Sequence, residues 1–336
     1  MDESMLLTAS ASPHVRTRDT ARMIMLDVII ALCPALIASV VIFGFRALAV
    51  TAVSVASCVL FEWLSRLAMK RHNTIGDLSA VVTGMILAFN LPSTIPFWMV
   101  ILGSAIAIVV VKQMFGGIGQ NFVNPALLAR IVLMVSFPKA MLSAWATPFA
   151  WRSATPDATT SATPLAVLKT GEGEMPSLLS MCFANAGCLG EVCAAGLVLG
   201  GIYLVVRRVI TPVIPLCYIG TVAVCMFLYG LTKDGNPFTF TAYELLGGGL
   251  MLGAIFMATD YATSPTSVKG KVLFAIGCGL ITSLIRLFGN MNEGVSFSII
   301  LMNILVPHID NATIPVPFGA VRAKRSRKKE QEVEVA

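Results

Sequence analysis

Charged side chains are scarce in this chain. Asp, Glu, Lys and Arg make up 12% of its 336 residues, against about 25% in an ordinary soluble domain. That shortage excludes a water-exposed globule. With 56% hydrophobic residues and a mean hydropathy of +0.82, the composition is that of an integral membrane protein surrounded by lipid. Cluster-forming cysteines are also missing. Cys182, Cys188 and Cys193 are the closest set, and their spacing matches no zinc or iron–sulfur pattern. Cys33, Cys58, Cys217, Cys225 and Cys278 lie inside apolar runs, where a small buried hydrophobe is expected. No G-x-G-x-x-G fingerprint is present, so no dinucleotide fold is expected here. The net charge of +6 is not a nucleic-acid signal. Its basic residues sit at span ends and in the tail AVRAKRSRKKE, and such a tail marks the cytoplasmic side. No metal site, nucleic-acid partner or secretory signal is expected.

What is present is a series of apolar runs. Full-length spans are expected near 25–45, 47–69, 97–115, 187–206, 212–230, 243–261 and 270–288, with shorter runs at 77–91, 124–138 and 294–309. Counting all of them, we read ten spans. With the N-terminus inside, the cytoplasmic ends and the tail hold seventeen Lys and Arg and the outer ends hold six, while Arg130 alone falls mid-span. Both termini are then cytoplasmic. The resulting organisation is a segment 1–22, a five-span unit 23–138, an outer loop 139–186, a second five-span unit 187–310 and a basic tail 311–336.

The two units echo each other weakly. Pro92-Ser93 and Pro265-Thr266 stand 173 positions apart, as do Phe115-Gly116 and Phe288-Gly289. A repeat of five spans must be inverted because five is odd. Inverted repeats with short or broken helices are built for transport, with sites near the midplane at the repeat interface. The expected fold is therefore an all-α membrane protein of ten transmembrane helices in two inverted five-helix repeats.

Ionisable groups inside spans are costly and tend to face protein or water. Arg130 in ALLARIVLMV is expected beside an anionic group or a buried carboxylate. Asp27, Glu62 and Asp260 are expected either solvated at interfaces or holding helices together. The glycine-rich breaks FGGIGQNFVNPALLAR (115–130) and FGNMNEGVSF (288–297) precede short helices. The N-termini of those helices either point at an anion or an ion path, or belong to buried re-entrant turns.

The stretch DATTSATPL (157–165) concentrates hydroxyls in the outer loop. By composition it is a solvated linker. Its small residues would also let a bulky group reach a hydroxyl side chain, and Trp145, Phe149 and Trp151 just before it suit either ring stacking or anchoring at the membrane surface.

In order along the chain, SPHV, DLSAVVTGMILAFNLP, KQMFGGIGQNFVNPALLAR, RRVI, GGLMLGAIFMATDYATSP and NEGVSFSIILMN resemble the D subunits of Rnf-type ferredoxin:NAD oxidoreductases. They resemble the B subunits of sodium-pumping NADH:quinone oxidoreductases more distantly. The resemblance implies a urea-transporter-like fold and a place in a complex, alongside the A, B, C, E and G subunits, that couples electron flow to Na⁺ or H⁺ movement across the bacterial inner membrane. It implies FMN on Thr163 through a phosphoester, attached outside by a separate flavin transferase, with Asp157, Thr160, Ser161 and Ala162 completing the motif. Ala158 and Ser161 stand where the family pattern has glycine. Noncovalent riboflavin is a further implied cofactor, and Arg130 is a candidate cofactor contact. A passive channel of the same fold, or an anchor for a flavoprotein partner, are the alternatives to a redox role.

Overall fold

The computed structural model describes residues 20–142, 145–152, 163–170, 175–233, 236–289 and 293–313. Among them the regular elements are helical. The first half contains α1 (Ala21–Phe43), α2 (Phe45–Ala68), α3 (Ser79–Phe89), α4 (Phe97–Gln113) and α5 (Pro125–Ser136), followed by the short α6 (Pro138–Leu142). Two further short helices, α7 (Pro164–Thr170) and α8 (Leu178–Phe183), lead into the second half. That half contains α9 (Ala194–Val206), α10 (Val213–Gly230), α11 (Pro237–Leu246), α12 (Leu250–Met257), α13 (Val268–Phe288) and α14 (Val295–Thr313).

Five helices, α1, α2, α10, α13 and α14, are long and apolar enough to cross a membrane. The bent pair α11–α12 makes a sixth if it is one span, and α3, α4, α5 and α9 are shorter apolar helices. Their outer faces carry large apolar side chains such as Phe45, Ile37, Leu216 and Phe288, all well exposed. In water such a surface would be an aggregation hazard, whereas in lipid it is the solvated face.

Small residues set the packing, as expected where lipid removes the hydrophobic drive between helices. A Cβ on Gly84 of α3 would come within 2.8 Å of Val55 Cα in α2, and Ser54 Oγ donates to Gly84 O at 2.8 Å across the same contact. A Cβ on Gly200 of α9 would collide with Ala31 O of α1. The first helices of the two halves therefore pack backbone to backbone. Buried hydroxyls join α10, α13 and α14: Tyr218 Oη lies 2.7 Å from Thr282 Oγ1 and 2.9 Å from Ser298 Oγ.

Several spans differ from the sequence expectation. The run 243–261 is not one straight helix, because α11 and α12 meet at 63° across Gly247–Gly249. Gly248 and Gly249 have φ of +68° and +65°, left-handed values that glycine adopts without steric cost. The run 187–206 becomes helical only at Ala194. Before it the chain folds back on the end of α3, Leu189 and Gly190 donating to Leu91 O and Phe89 O at 3.0 and 2.8 Å. The run from 294, read as short, extends to Thr313 and is long enough to span. Both α4 (from Ile106) and α12 (from Gly253) end in π-helical turns, which often mark functional positions. Cys58 and Cys278 are buried as expected, but Cys33, Cys217 and Cys225 are only partly covered, since their helix faces meet lipid.

Candidate functional site

Three polar places are set into this apolar body. The first surrounds Thr163. Asp157, Thr160, Ser161 and Ala162 lie outside the described residues. Thr163 is buried and precedes Pro164 at the first turn of α7, a favourable pairing for a helix start. Its Oγ1 accepts from Ala166 N at 3.3 Å and its carbonyl accepts from Val167 N at 3.1 Å. Leu165 packs where α11 breaks, since a Cβ on Gly248 would collide with Leu165 Cδ1.

Beside α7 opens a cavity lined by Leu165, Lys169, Tyr229, Lys233, Phe240, Glu244 and Arg286 among others. Lys233 Nζ stands 5.3 Å from the Tyr229 ring and 5.5 Å from the Phe240 ring. Cations and aromatic faces beside the helix that Thr163 opens fit a flavin phosphate and its ring. Trp145 is turned inward, its Nε1 donating to Leu142 O at 2.9 Å. Trp151 is exposed, and its Nε1 donates to Val41 O at 3.3 Å.

The second place surrounds Arg130, at the contact between the two halves. Asn124 caps α5, its Oδ1 accepting from Ala126 N and Leu127 N at 3.1 and 3.3 Å. Its Nδ2 donates to Met257 O at the end of α12, at 3.3 Å. One and a half turns into α5, Arg130 is 4% exposed. Its Nη2 donates to Glu293, just before α14, and stands 3.9 Å from Glu191 Oε1. Nη1 donates to Asn90 Oδ1 at 2.9 Å and to Ser296 Oγ at 3.2 Å. Arg130 thus meets two carboxylates, Glu191 buried and Glu293 partly buried. Ligand atoms of Cys188, Glu191 and Glu293 lie within 4.8 Å of one another, with the guanidinium between them.

The third place is a cavity lined by Thr83, Lys112, Asn121, Asn124, Phe256 and Asp260 among others. It includes Val209 and Ile210 just before α10, whereas the Thr163 cavity includes Tyr229 near the end of α10. The two cavities therefore lie at opposite ends of an 18-residue helix, about 27 Å apart along its axis. Asp260 closes a turn here, its Oδ2 accepting from Thr263 Oγ1 at 3.2 Å.

The count of basic residues put Lys112 at a cytoplasmic span end and Arg286 at an outer one. Both are buried. Lys112 Nζ donates to Glu62 Oε2 at 2.8 Å and to Ser79 Oγ at 2.6 Å, and Glu62 Oε1 accepts from Thr74 Oγ1 at 2.7 Å. Arg286 Nη1 donates to Glu244 Oε2 at 3.1 Å, and Nη2 donates to Gly247 O and Gly248 O at 3.1 and 3.2 Å. Each half therefore buries one carboxylate–cation pair. The cations stand 174 positions apart, close to the repeat offset, and that near-coincidence was the available signal. Glu62 and Asp27 hold helices together. Asp27 Oδ1 accepts from Tyr203 Oη at 2.8 Å, and Arg207 Nη2 lies 3.2 Å from Asp27 Oδ2.

Comparison with known proteins agrees with this architecture. Residues 8–319 match the model of the NQR2, RnfD, RnfE family. The chain is 46% identical over 327 residues to the D subunit of the Na⁺-translocating ferredoxin:NAD⁺ oxidoreductase complex of Acetobacterium woodii, covering 96% of this chain and 98% of that one. It is 41% identical over 332 residues to the D subunit of the proton-translocating ferredoxin:NAD⁺ oxidoreductase complex of Clostridium ljungdahlii, covering 94% and 97%. It is 34% identical over 343 residues to the D subunit of an ion-translocating oxidoreductase complex of Halorhodospira halophila, covering 93% and 95%. A helical membrane body with paired buried charges, matched along nearly its whole length, this chain belongs to the NQR2, RnfD, RnfE family.

Proposed function

We propose that this chain is the D-type membrane subunit of a redox-driven ion pump of the bacterial inner membrane. In this reading it works in a complex with Rnf-type A, B, C, E and G subunits, which passes electrons between ferredoxin and NAD and moves Na⁺ or H⁺. The observation that carries the reading is Thr163 at the start of α7, the helix whose Leu165, Leu168 and Lys169 line a cavity with Lys233, Tyr229 and Phe240, in a chain closely similar to the D subunits of such complexes.

Thr163 bears FMN through a phosphoester made by a flavin transferase, with Asp157, Thr160, Ser161 and Ala162 forming the recognised motif. The flavin supplies one- and two-electron redox chemistry. Lys169 and Lys233 supply positive potential to its phosphate, and Tyr229 and Phe240 supply apolar faces. Noncovalent riboflavin takes the opposite cavity, where Asn121 offers an amide to a ring edge and Phe256 offers an apolar wall.

The finer fold belongs to the same reading. The long helices, the bent pair and the four shorter apolar helices make ten crossings in two inverted repeats. Both termini are then cytoplasmic and the Thr163 loop is extracytoplasmic. The buried Glu62–Lys112 and Glu244–Arg286 pairs support this symmetry.

The test is activity of the purified complex in vesicles. Thr163→Ala should abolish ferredoxin-driven NAD reduction and ion uptake together while the complex still assembles. Full electron transfer in that variant would instead support the anchoring role.

A further inference from the structure

Counting charge around Arg130 leaves a surplus. Arg130 contributes one positive charge, and Glu191 and Glu293 contribute two negative ones. All three are largely buried, with side-chain exposures of 5%, 3% and 12%. The guanidinium is committed to Glu293 and stands off from Glu191 at 3.9 Å. Among the described residues Glu191 Oε1 has no hydrogen-bond partner, although it is sealed in. A Cβ on Gly249, at the α11–α12 break, would come within 2.8 Å of that oxygen. A buried carboxylate with one oxygen unbonded and its nearest cation committed to another carboxylate is strongly disfavoured.

Every packed element has its titratable and charged groups accounted for. From α5 comes Arg130, and from the segment before α14 comes Glu293. From the fold-back comes Cys188, whose Sγ lies 3.5 Å from Arg130 Nη2 and 3.4 Å from Asn90 O. From α13 comes Arg286, already bonded to Glu244 of α11. The end of α3 and the start of α12 present the neutral Asn90 and Gly249. Among the described residues no cation remains to balance Glu191. A metal ion in this space would sit against the guanidinium, whose like charge opposes it. A proton needs no such space.

We propose that Glu191 carries one exchangeable proton beside the Arg130–Glu293 ion pair. Glu191 takes it up as a carboxylic acid while Glu293 keeps the guanidinium, and on release Glu191 returns to carboxylate and water takes the proton. The charge of the cluster then alternates between zero and minus one at the contact of the two halves, beside the break between α11 and α12. That this alternation serves ion movement rests on the proposed function. The occupancy itself does not.

Infrared spectra of the full chain in lipid nanodiscs, at neutral pH in choline buffer, test the assignment without any flavin or redox partner. Wild type minus Glu191→Gln should show one protonated-carboxyl C=O band that shifts in D₂O, and Glu191→Asp should move that band. Glu293→Gln keeps the shape of its site and leaves Arg130 to Glu191, so it should remove the band although Glu191 is intact. A null wild-type minus Glu191→Gln difference overturns the proposal. So does a band that survives in Glu293→Gln, or one that vanishes when Na⁺ replaces choline, since the last would mean a metal-cation site. Failure of any of these leaves the flavin reading untouched, because Thr163 takes no part in them.

Discussion

Glu62 of α2 and Lys112 at the end of α4 form an ion pair of 2.8 Å, with side-chain exposures of 0% and 3%. Lys112 also reaches Ser79 at the start of α3, so one cation ties three helices. Removing one partner leaves a buried charge uncompensated. Lys112→Met should therefore lower stability by about 3–5 kcal/mol. The double variant Glu62→Leu/Lys112→Met should recover much of that loss. Thermal unfolding in detergent measures both, and a single variant as stable as wild type would deny this pair a part in holding the helices.

Gly248 tests the break between α11 and α12. It holds φ of +68°, and a Cβ there would collide with Leu165 Cδ1 and meet Arg286 Nη2 at 2.6 Å. Gly248→Ala should cost about 1–3 kcal/mol from backbone strain alone, with the contacts adding to it. The same thermal assay checks this, and Gly220→Ala is the control, since nothing lies within 4 Å of a Cβ there.

Arg130 and Asp27 separate a central role from a peripheral one. Arg130→Ala strands two carboxylates and should reduce activity of the complex by more than about tenfold. Asp27→Ala loses a pair whose Arg207 side chain is 48% exposed, so it should change activity by less than about twofold. Ferredoxin-dependent NAD reduction measures both, and equal activity in the two variants would deny Arg130 a functional part.

The sequence made some of this legible and hid the rest for identifiable reasons. Scarce charge and long apolar runs announced the membrane helices, and a lone arginine in ALLARIVLMV announced a buried partner. Its partners, Glu191 and Glu293, were missed because both sit at breaks, where a carboxylate reads as solvated. The burial of Lys112 and Arg286 was hidden for the same reason: they end apolar runs, and only the packing of Glu62 and Glu244 against them shows that those ends are covered. The bend at Gly247–Gly249 was hidden because its flanks are as apolar as any continuous span. The run 294–309 was ended before the polar Asp310 and Asn311, through which the helix continues to Thr313.

The most direct measurement concerns Thr163. The chain is produced with an active flavin transferase, denatured in SDS, and its band viewed under ultraviolet light in wild type and Thr163→Ala, with peptide mass spectrometry locating the modification. The account predicts a fluorescent wild-type band, a dark Thr163→Ala band, and FMN mass on the peptide containing Thr163. A dark wild-type band, with the transferase shown active on another substrate, would contradict it and return the chain to a flavin-free channel or anchor.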